Sequence, residues 1–178
     1  VRDARDQLGH YRLLIGYDDT KGAFITQDSL DGPSLSVRYD QLDELWRVFN
    51  RVYLVLYSPD REDEVLAILG EDAEEERMWE RALFTAYEEI AAPPATCVAY
   101  ARCSDWVTFG WFNVGTNLNA LGRFEEAAAA YDQSRHLDLH YRMLWYQFGP
   151  YEAYYAAGRY EDVMALANAT LATASNLE

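Results

Sequence analysis

The sequence predicts an α+β protein in which a small antiparallel sheet is followed by an all-α array of helical hairpins. Over residues 9–57, short apolar runs are separated by turn residues, which is typical of strands. From residue 58 onward, apolar residues recur at the three- and four-residue spacing of amphipathic helices. Within this second part a six-residue motif starts at residue 121 and again at residue 157, which indicates repeated helical hairpins. We therefore expect two units, residues 1–58 and residues 59–178.

The composition is that of a folded acidic protein. The chain of 178 residues is 50% hydrophobic and 15% aromatic, which is too apolar for a disordered acidic tail. Its 30 acidic and 15 basic residues give a formal net charge of −15. We expect neither nucleic acid nor an anionic membrane surface as a partner, because both are bound through clustered Lys and Arg. The longest uncharged run, residues 106–122, contains three Asn and three Gly, so no membrane span is predicted. No cofactor is expected.

The first strands form a hairpin. Residues 11–17 are a strand-like apolar run, and residues 23–27 form the return strand. Residues 18–22 are the turn between them, where Gly22 can adopt a positive φ. Residues 29–36, which contain Gly-Pro, are expected to be a loop.

A short helix and a third strand complete the first unit. The apolar spacing over residues 41–50 predicts an amphipathic helix, and Asp40 is its expected N-cap. Residues 52–57 are an uninterrupted apolar run, for which we expect a central strand.

The second unit opens with two helices. Ser58 and the proline after it are a helix start, and Gly70 ends this helix after Leu69. Asp72 is the expected cap of a longer helix that reaches about Ala92, where two prolines end it. Everything after about residue 105 is expected to be helical with short breaks.

The recurring motif resembles the tetratricopeptide repeat. Its copies are residues 121–126 and residues 157–162. The first copy matches the family pattern at Trp111, Val114, Gly115, Leu118, Ala127 and Tyr131, whereas Leu139 departs from its usual proline. Gly115 and Ala127 are small where the helices are expected to cross closely. The second copy is looser, with the offset of 36 kept by Tyr151, Tyr154, Ala157, Gly158, Tyr160 and Val163.

The resemblance implies a concave face that binds a peptide or protein partner. Phe112, Thr116 and Asn119 are the expected groove-facing residues. The alternative is that the array is a packing appendage that stabilises its neighbour. The absence of a basic cluster on the expected groove helices favours this alternative and argues against capture of an acidic peptide terminus.

His10 and Asp28 form a candidate site in the first unit. His10 precedes the first strand and Asp28 follows the second. If residues 18–22 form a five-residue loop, strand residues of like parity face the same side, so the two side chains lie about one diagonal step apart. A carboxylate in that position fixes the imidazole tautomer and stabilises imidazolium. A hydrogen-bonded structural histidine is the alternative.

The same stretch resembles the C-terminal half of papain-like cysteine peptidases, in particular the bacteriocin-leader-processing (double-glycine) family. The matching motifs are Gly9-His10-Tyr11, Gly16-Tyr17-Asp18-Asp19, Thr26-Gln27-Asp28-Ser29, Gly32-Pro33 and Leu45-Trp46-Arg47. The resemblance implies that His10 is the general base and Asp28 its orienting acid. The nucleophilic cysteine of the family comes first in the chain, but no cysteine precedes His10 here.

The expected function is therefore that of a fragment. An upstream peptidase half would supply the nucleophilic cysteine, and the chain alone is expected to be inactive. The alternative is a non-catalytic protein-binding module in which the peptidase-like part is structural. Relatives of this kind are often exported bacterial proteins, so an extracytoplasmic or cell-surface location is expected.

Two further residue pairs need an interpretation. Cys97 and Cys103 are six residues apart, which suits neither a zinc knuckle nor a redox pair, and we expect two unpaired thiols. His136 and His140 have the four-residue spacing of metal ligands on one helix, with Asp138 between them. Because a repeat helix should end there, the helical register is expected to break, and metal binding is the lesser alternative.

Overall fold

A computed structural model describes residues 9–97 and 103–174 and has an α+β architecture. A three-stranded antiparallel sheet in the order β1-β2-β3 comes first. Its strands are β1 (Leu13–Asp18), β2 (Ala23–Asp28) and β3 (Gly32–Arg38). The α-helices of the described residues are α1 (Tyr39–Arg47), α2 (Glu62–Leu69), α3 (Glu75–Ala91), α4 (Trp106–Ala120), α5 (Phe124–His136), α6 (Gly149–Ala156) and α7 (Tyr160–Ala174).

The first hairpin forms as predicted, but with a shorter loop. Asp18 pairs with Ala23, so the connection has four residues rather than five. A four-residue connection alone would put residues of like parity on opposite faces. The register shifts by one residue between Leu14 and Gly16, where Ile15 is an extra residue in β1. This bulge restores the like-parity relation between the start of β1 and the end of β2.

The third strand is not where the sequence predicts it. β3 spans residues 32–38 and so takes up residues 32–36 of the expected loop; it pairs with β2 through a tight turn after Asp28, and its first residue, Gly32, has a φ of 115°. Residues 52–57 are outside every strand. Asn50 and Arg51, both with positive φ, turn the chain at the end of α1 and leave the run after them without a strand partner among the described residues.

Two predicted helix caps are also wrong. Asp40 lies inside the first turn of α1, where its carboxylate pairs with Arg38 and accepts from the backbone N–H of Gln41. Asp72 pairs with Arg81 and caps no helix, since α3 begins only after Glu74. In both cases a nearby arginine forms an ion pair with the carboxylate for which the sequence pattern predicted a helix-capping role.

Cys97 and Cys103 are joined by a disulfide, so the expectation of two unpaired thiols is wrong. Sequence spacing does not decide this, because a disulfide depends on the distance between the two Cα atoms in the fold, which is 5.7 Å here.

The last four helices form two hairpins with the same turn. Backbone N–H groups of residues 121, 122 and 123 donate to the carbonyls of residues 117, 119 and 118. The same three bonds recur 36 residues later, from residues 157, 158 and 159 to residues 153, 155 and 154. Gly122 and Gly158 have matching φ values of 71° and 73°. A left-handed residue after the helix end explains why glycine recurs at this position.

The core lies between these hairpins and α3. Tyr131 on α5 is buried where α4 and α6 approach it, with its ring in edge contact with Phe112. A Cβ at Gly115 would lie 2.7 Å from the Tyr131 ring, and one at Gly149 would overlap its hydroxyl oxygen. Both glycines are therefore required by close packing.

The sheet unit is attached to the helices through the end of α1. Arg47 is 1% exposed and its guanidinium lies 3.4 Å from the centre of the Trp106 ring. Asn113 on α4 donates to the Arg47 carbonyl, and Asn117 exchanges side-chain hydrogen bonds with Asn50. The expected boundary at residue 58 falls in the extended segment after this attachment.

None of the helices within residues 9–97 and 103–174 combines the length and apolar character that crossing a membrane requires.

Candidate functional site

His10 and Asp28 are in direct contact. His10 Nε2 lies 2.9 Å from Asp28 Oδ1, and 21% of the His10 side chain is exposed. His10 lies just before β1, and Asp28 is the last residue of β2. The contact predicted from parity is present, although the loop and the bulge that produce it differ from the prediction.

The Asp28 carboxylate is fully buried and accepts four hydrogen bonds. Oδ1 accepts from the backbone N–H groups of Leu30 and Asp31, at 2.8 and 3.0 Å, as well as from His10. Oδ2 accepts from Arg12 Nε at 2.7 Å. The two backbone bonds form the turn between β2 and β3, in which an Asp side chain bonds to the backbone after it. The same residue therefore shapes the turn and holds the imidazole.

Arg12 is the member of this site that our sequence analysis missed. Its guanidinium bonds to Asp28 and, at 3.2 Å, to Asp31. Arg12 lies two residues after His10, so strand alternation places both side chains on one face. That spacing is the signal that could have found it.

The environment of Asp28 keeps it ionised. Burial acts to raise the pKa of Asp28, but the N–H groups of Asp31 and Leu30, together with His10 and Arg12, lower it well below its ordinary value of 3.8. An ionised carboxylate only accepts hydrogen bonds, so the Nε2 of His10 must carry the proton. In the neutral ring Nδ1 is then the basic nitrogen.

The site orients His10 as a proton acceptor, but no cysteine of this chain supplies a thiolate to it. Among the described residues, no hydrogen bond to His10 Nδ1 is formed. The chain has two cysteines, and each is bonded to the other. The site therefore contains an oriented base without a sulfur nucleophile from this chain.

The expected groove residues do not form one exposed face. Phe112 is 2% exposed and belongs to the core, so its assignment to the groove is wrong. The glycines on either side of it bring neighbouring helices close enough to cover its ring. Thr116 is partly buried and donates to the Phe112 carbonyl, while Asn119 is partly buried and donates to Glu152 on α6.

His136 and His140 have separate structural roles. His136 ends α5 and its Nδ1 lies 2.8 Å from the Asp132 carbonyl oxygen. His140 lies beyond the helix and accepts from the backbone N–H of Arg142. Asp138 between them has a positive φ, so the helical register breaks there. Within the part of the chain that the structure describes, no three His, Cys, Asp or Glu residues are grouped as metal ligands would be.

A scan against protein-family models and searches of curated proteins and of solved structures found no significant match to this chain.

Proposed function

We propose that the chain is part of a bacterial cysteine-peptidase-like protein and carries the His/Asp half of the catalytic site, joined to a repeat domain for protein interaction. The observation that carries the proposal is the hydrogen bond between His10 Nε2 and Asp28. It leaves Nδ1 to take a proton from a thiol, and a thiolate paired with imidazolium is a strong nucleophile.

The nucleophile belongs to an upstream peptidase half. Both cysteines of the chain are held in a disulfide on the helical side, so neither is available to His10. The chain alone is therefore inactive, and activity requires a cysteine that another segment places beside Nδ1. The motifs that resemble papain-like peptidases support this arrangement, because in that family the cysteine precedes the histidine in the chain.

The helical part is the proposed interaction domain. The matching turns at Gly122 and Gly158 and the close packing at Gly115 support a tetratricopeptide-like array. With Phe112 in the core, Thr116 and Asn119 remain as the proposed groove residues for a peptide or protein partner.

The proposed location is extracytoplasmic or at the bacterial cell surface. The disulfide between Cys97 and Cys103 supports this, because disulfides persist mainly in oxidising compartments.

A thiol-directed active-site probe on the intact protein tests the proposal. We expect labelling of an upstream cysteine that falls about 100-fold or more in rate in a His10→Gln variant, since general-base activation contributes that much. His136→Gln is the matched control, because His136 bonds to the Asp132 carbonyl of its own helix, and the labelling rate in this variant should be unchanged. Labelling that is absent, or equal in both variants, contradicts the peptidase proposal.

The second candidate is a non-catalytic binding module in which this cluster is structural. The observation that favours it is Arg12, which shares the Asp28 carboxylate with His10 and also reaches Asp31. In that case His10→Gln alters stability but not thiol reactivity, and partner capture by the whole chain persists in the variant. The probe experiment therefore separates the two candidates.

A further inference from the structure

The outer face of α7 exposes large apolar side chains. Tyr160, Met164 and Leu171 are 58%, 63% and 67% exposed. Positions four and seven residues apart lie on one side of a helix, so these three side chains share a face. Tyr155 near the end of α6 is 65% exposed, and its ring contacts the Tyr160 ring edge-on with the centroids 5.4 Å apart. Tyr155, Tyr160, Met164 and Leu171 are together called the α7 stripe here.

The opposite face of α7 is occupied by contacts within the chain. Leu166 is buried in the core, Thr170 shares a hydrogen bond with the Tyr151 hydroxyl, and Thr173 accepts from the indole N–H of Trp145. α7 is the last of the described helices, and the outermost helix of a stack of hairpins is normally polar on its outer face. The apolar α7 stripe is therefore typical of a helix that another helical layer covers.

The charge distribution favours a second copy of the chain as that layer. Residues 163–174 contain no charged side chain, although the chain has a formal net charge of −15. Two copies of so acidic a chain repel each other wherever their carboxylates meet, and this stretch of α7 brings none together. A basic partner would instead be bound through carboxylates, which residues 163–174 do not offer.

The order of the residues along α7 fits a two-fold axis. The exposed Asn168 lies four residues after Met164 and three before Leu171. In an antiparallel pair with its axis near Asn168, Met164 of each copy lies against Leu171 of the other. The two Asn168 amides then meet at the axis, where each can donate to the other because an amide carries both donors and an acceptor.

The position of Glu161 in the first turn of α7 distinguishes the two possible directions. An antiparallel pair separates the two copies of Glu161 by about 20 Å, since each lies seven residues from the axis at 1.5 Å per residue. That separation exceeds the Debye length of about 8 Å at physiological salt. A parallel pair would place the two Glu161 carboxylates side by side, so repulsion disfavours it.

The exposed area of the α7 stripe is sufficient for a weak dimer. A large side chain loses about 150–250 Å² when it is fully buried, so four of them at about 60% exposure offer about 500 Å² per copy. The total of about 1,000 Å² is at the lower end of specific interfaces. We therefore expect a dissociation constant in the micromolar range.

We propose that the chain forms a two-fold symmetric dimer through the α7 stripe, with the two α7 helices antiparallel and Asn168 at the axis. The same surface serves both copies, as a closed two-fold interface requires. The dimer is independent of the peptidase proposal, because the contacts of His10, Arg12 and Asp28 described above involve no residue of α6 or α7.

Sedimentation equilibrium of the 178-residue chain tests the dimer. We expect the mass to rise from monomer to dimer between about 1 and 300 µM, and Leu171→Glu to raise the dissociation constant about tenfold or more, because it buries an unpaired charge in the interface. Ile68→Glu is the matched control, since Ile68 is an exposed apolar residue on α2, and it should leave the dissociation constant unchanged. A monomer at every concentration, or a dimer that both variants affect equally, overturns the proposal.

Cross-linking tests the direction of the helices. Cys97 and Cys103 are bonded to each other, so Asn168→Cys introduces a single free thiol into each copy. We expect a short bismaleimide to link two copies of Asn168→Cys but not two copies of Glu161→Cys, whose thiols lie about 20 Å apart in the antiparallel pair. Linking of Glu161→Cys, or of neither variant, overturns the antiparallel dimer.

Discussion

At the scale of single residues, the Asp28 carboxylate determines what the candidate site can do. It is buried, accepts four hydrogen bonds and fixes the proton of His10 on Nε2. The Asp28 side chain therefore connects the β2–β3 turn to the chain before β1, and it also orients the proposed base.

Replacing Asp28 tests this link through stability. Asp28→Asn keeps the shape but removes the charge that Arg12 neutralises and weakens the hydrogen bond from His10, so we expect a loss of about 2–4 kcal/mol in the free energy of unfolding at pH 7. Because the folded pKa of Asp28 is lowered, its contribution is complete above the ordinary value of 3.8 and is lost as the pH falls below it. The difference between wild type and variant should therefore shrink in acid, as measured by urea unfolding from pH 7 down to pH 2. Asp63→Asn, on the exposed side of α2, is the control, and an equal effect of both variants contradicts the account.

Gly115 is one of the residues where close packing leaves no room for a side chain. We expect Gly115→Ala to destabilise the protein by about 1–3 kcal/mol, because the new Cβ would overlap the buried Tyr131 ring. Gly16→Ala is the matched control, since its Cβ would make only an ordinary contact with Ile25 at 3.8 Å. Thermal unfolding of both variants checks the prediction, which is wrong if the two melting temperatures are equal.

Much of the site could be predicted from residue types and spacing. The placement of His10 and Asp28 on one face was predicted from residue parity. The two-residue spacing between Arg12 and His10 is a signal of the same kind. The extra residue at Ile15 has no sequence signature, and without it the four-residue loop would have placed the pair on opposite faces. The buried position of Phe112 could not be predicted either, because it depends on how closely glycine-containing helices approach one another.

At the scale of secondary-structure elements, α1 joins the sheet to the helices. Arg47, at its last residue, stacks on Trp106, donates to the Trp106 carbonyl and lies 3.5 Å from Glu89. These contacts attach α1 to α3 and α4, so the end of one short helix sets the position of the whole sheet unit on the helical part.

Removing this attachment should destabilise the protein. We expect Arg47→Ala to cost about 2–4 kcal/mol, since it leaves a cavity and removes the contact with the Trp106 ring. Arg61→Ala is the control, because it removes an exposed arginine that pairs with Glu64, and surface ion pairs contribute little to stability. Chemical denaturation of both variants measures the difference, and similar midpoints would argue against the role given to Arg47.

The elements themselves were predictable to different degrees. Helices with clear apolar spacing and the first hairpin were found, because local periodicity determines them. The third strand was misplaced since residues 52–57 have strand composition but pair with no strand within residues 9–97 and 103–174. The strand at residues 32–38 was missed because its Gly-Pro start is also typical of a loop.

At the scale of the whole molecule, a first unit with exposed apolar stretches is attached to a helical part that buries most of its own. The helical hairpins bury their apolar residues against one another and against α3, whereas β1 and residues 52–57 leave theirs exposed. The disulfide could not be predicted from the sequence, because it depends on the distance between Cys97 and Cys103 in the folded chain.

The central claim is that Asp28 holds His10 as the Nε2–H tautomer with a basic Nδ1. Long-range ¹H–¹⁵N NMR of the imidazoles at about pH 8, where histidine side chains are ordinarily neutral, measures this directly. The account predicts the Nε2–H tautomer for His10 in the wild-type chain and a mixture of tautomers in Asp28→Asn. A proton on Nδ1, or a His10 signal that does not change in the variant, would contradict it.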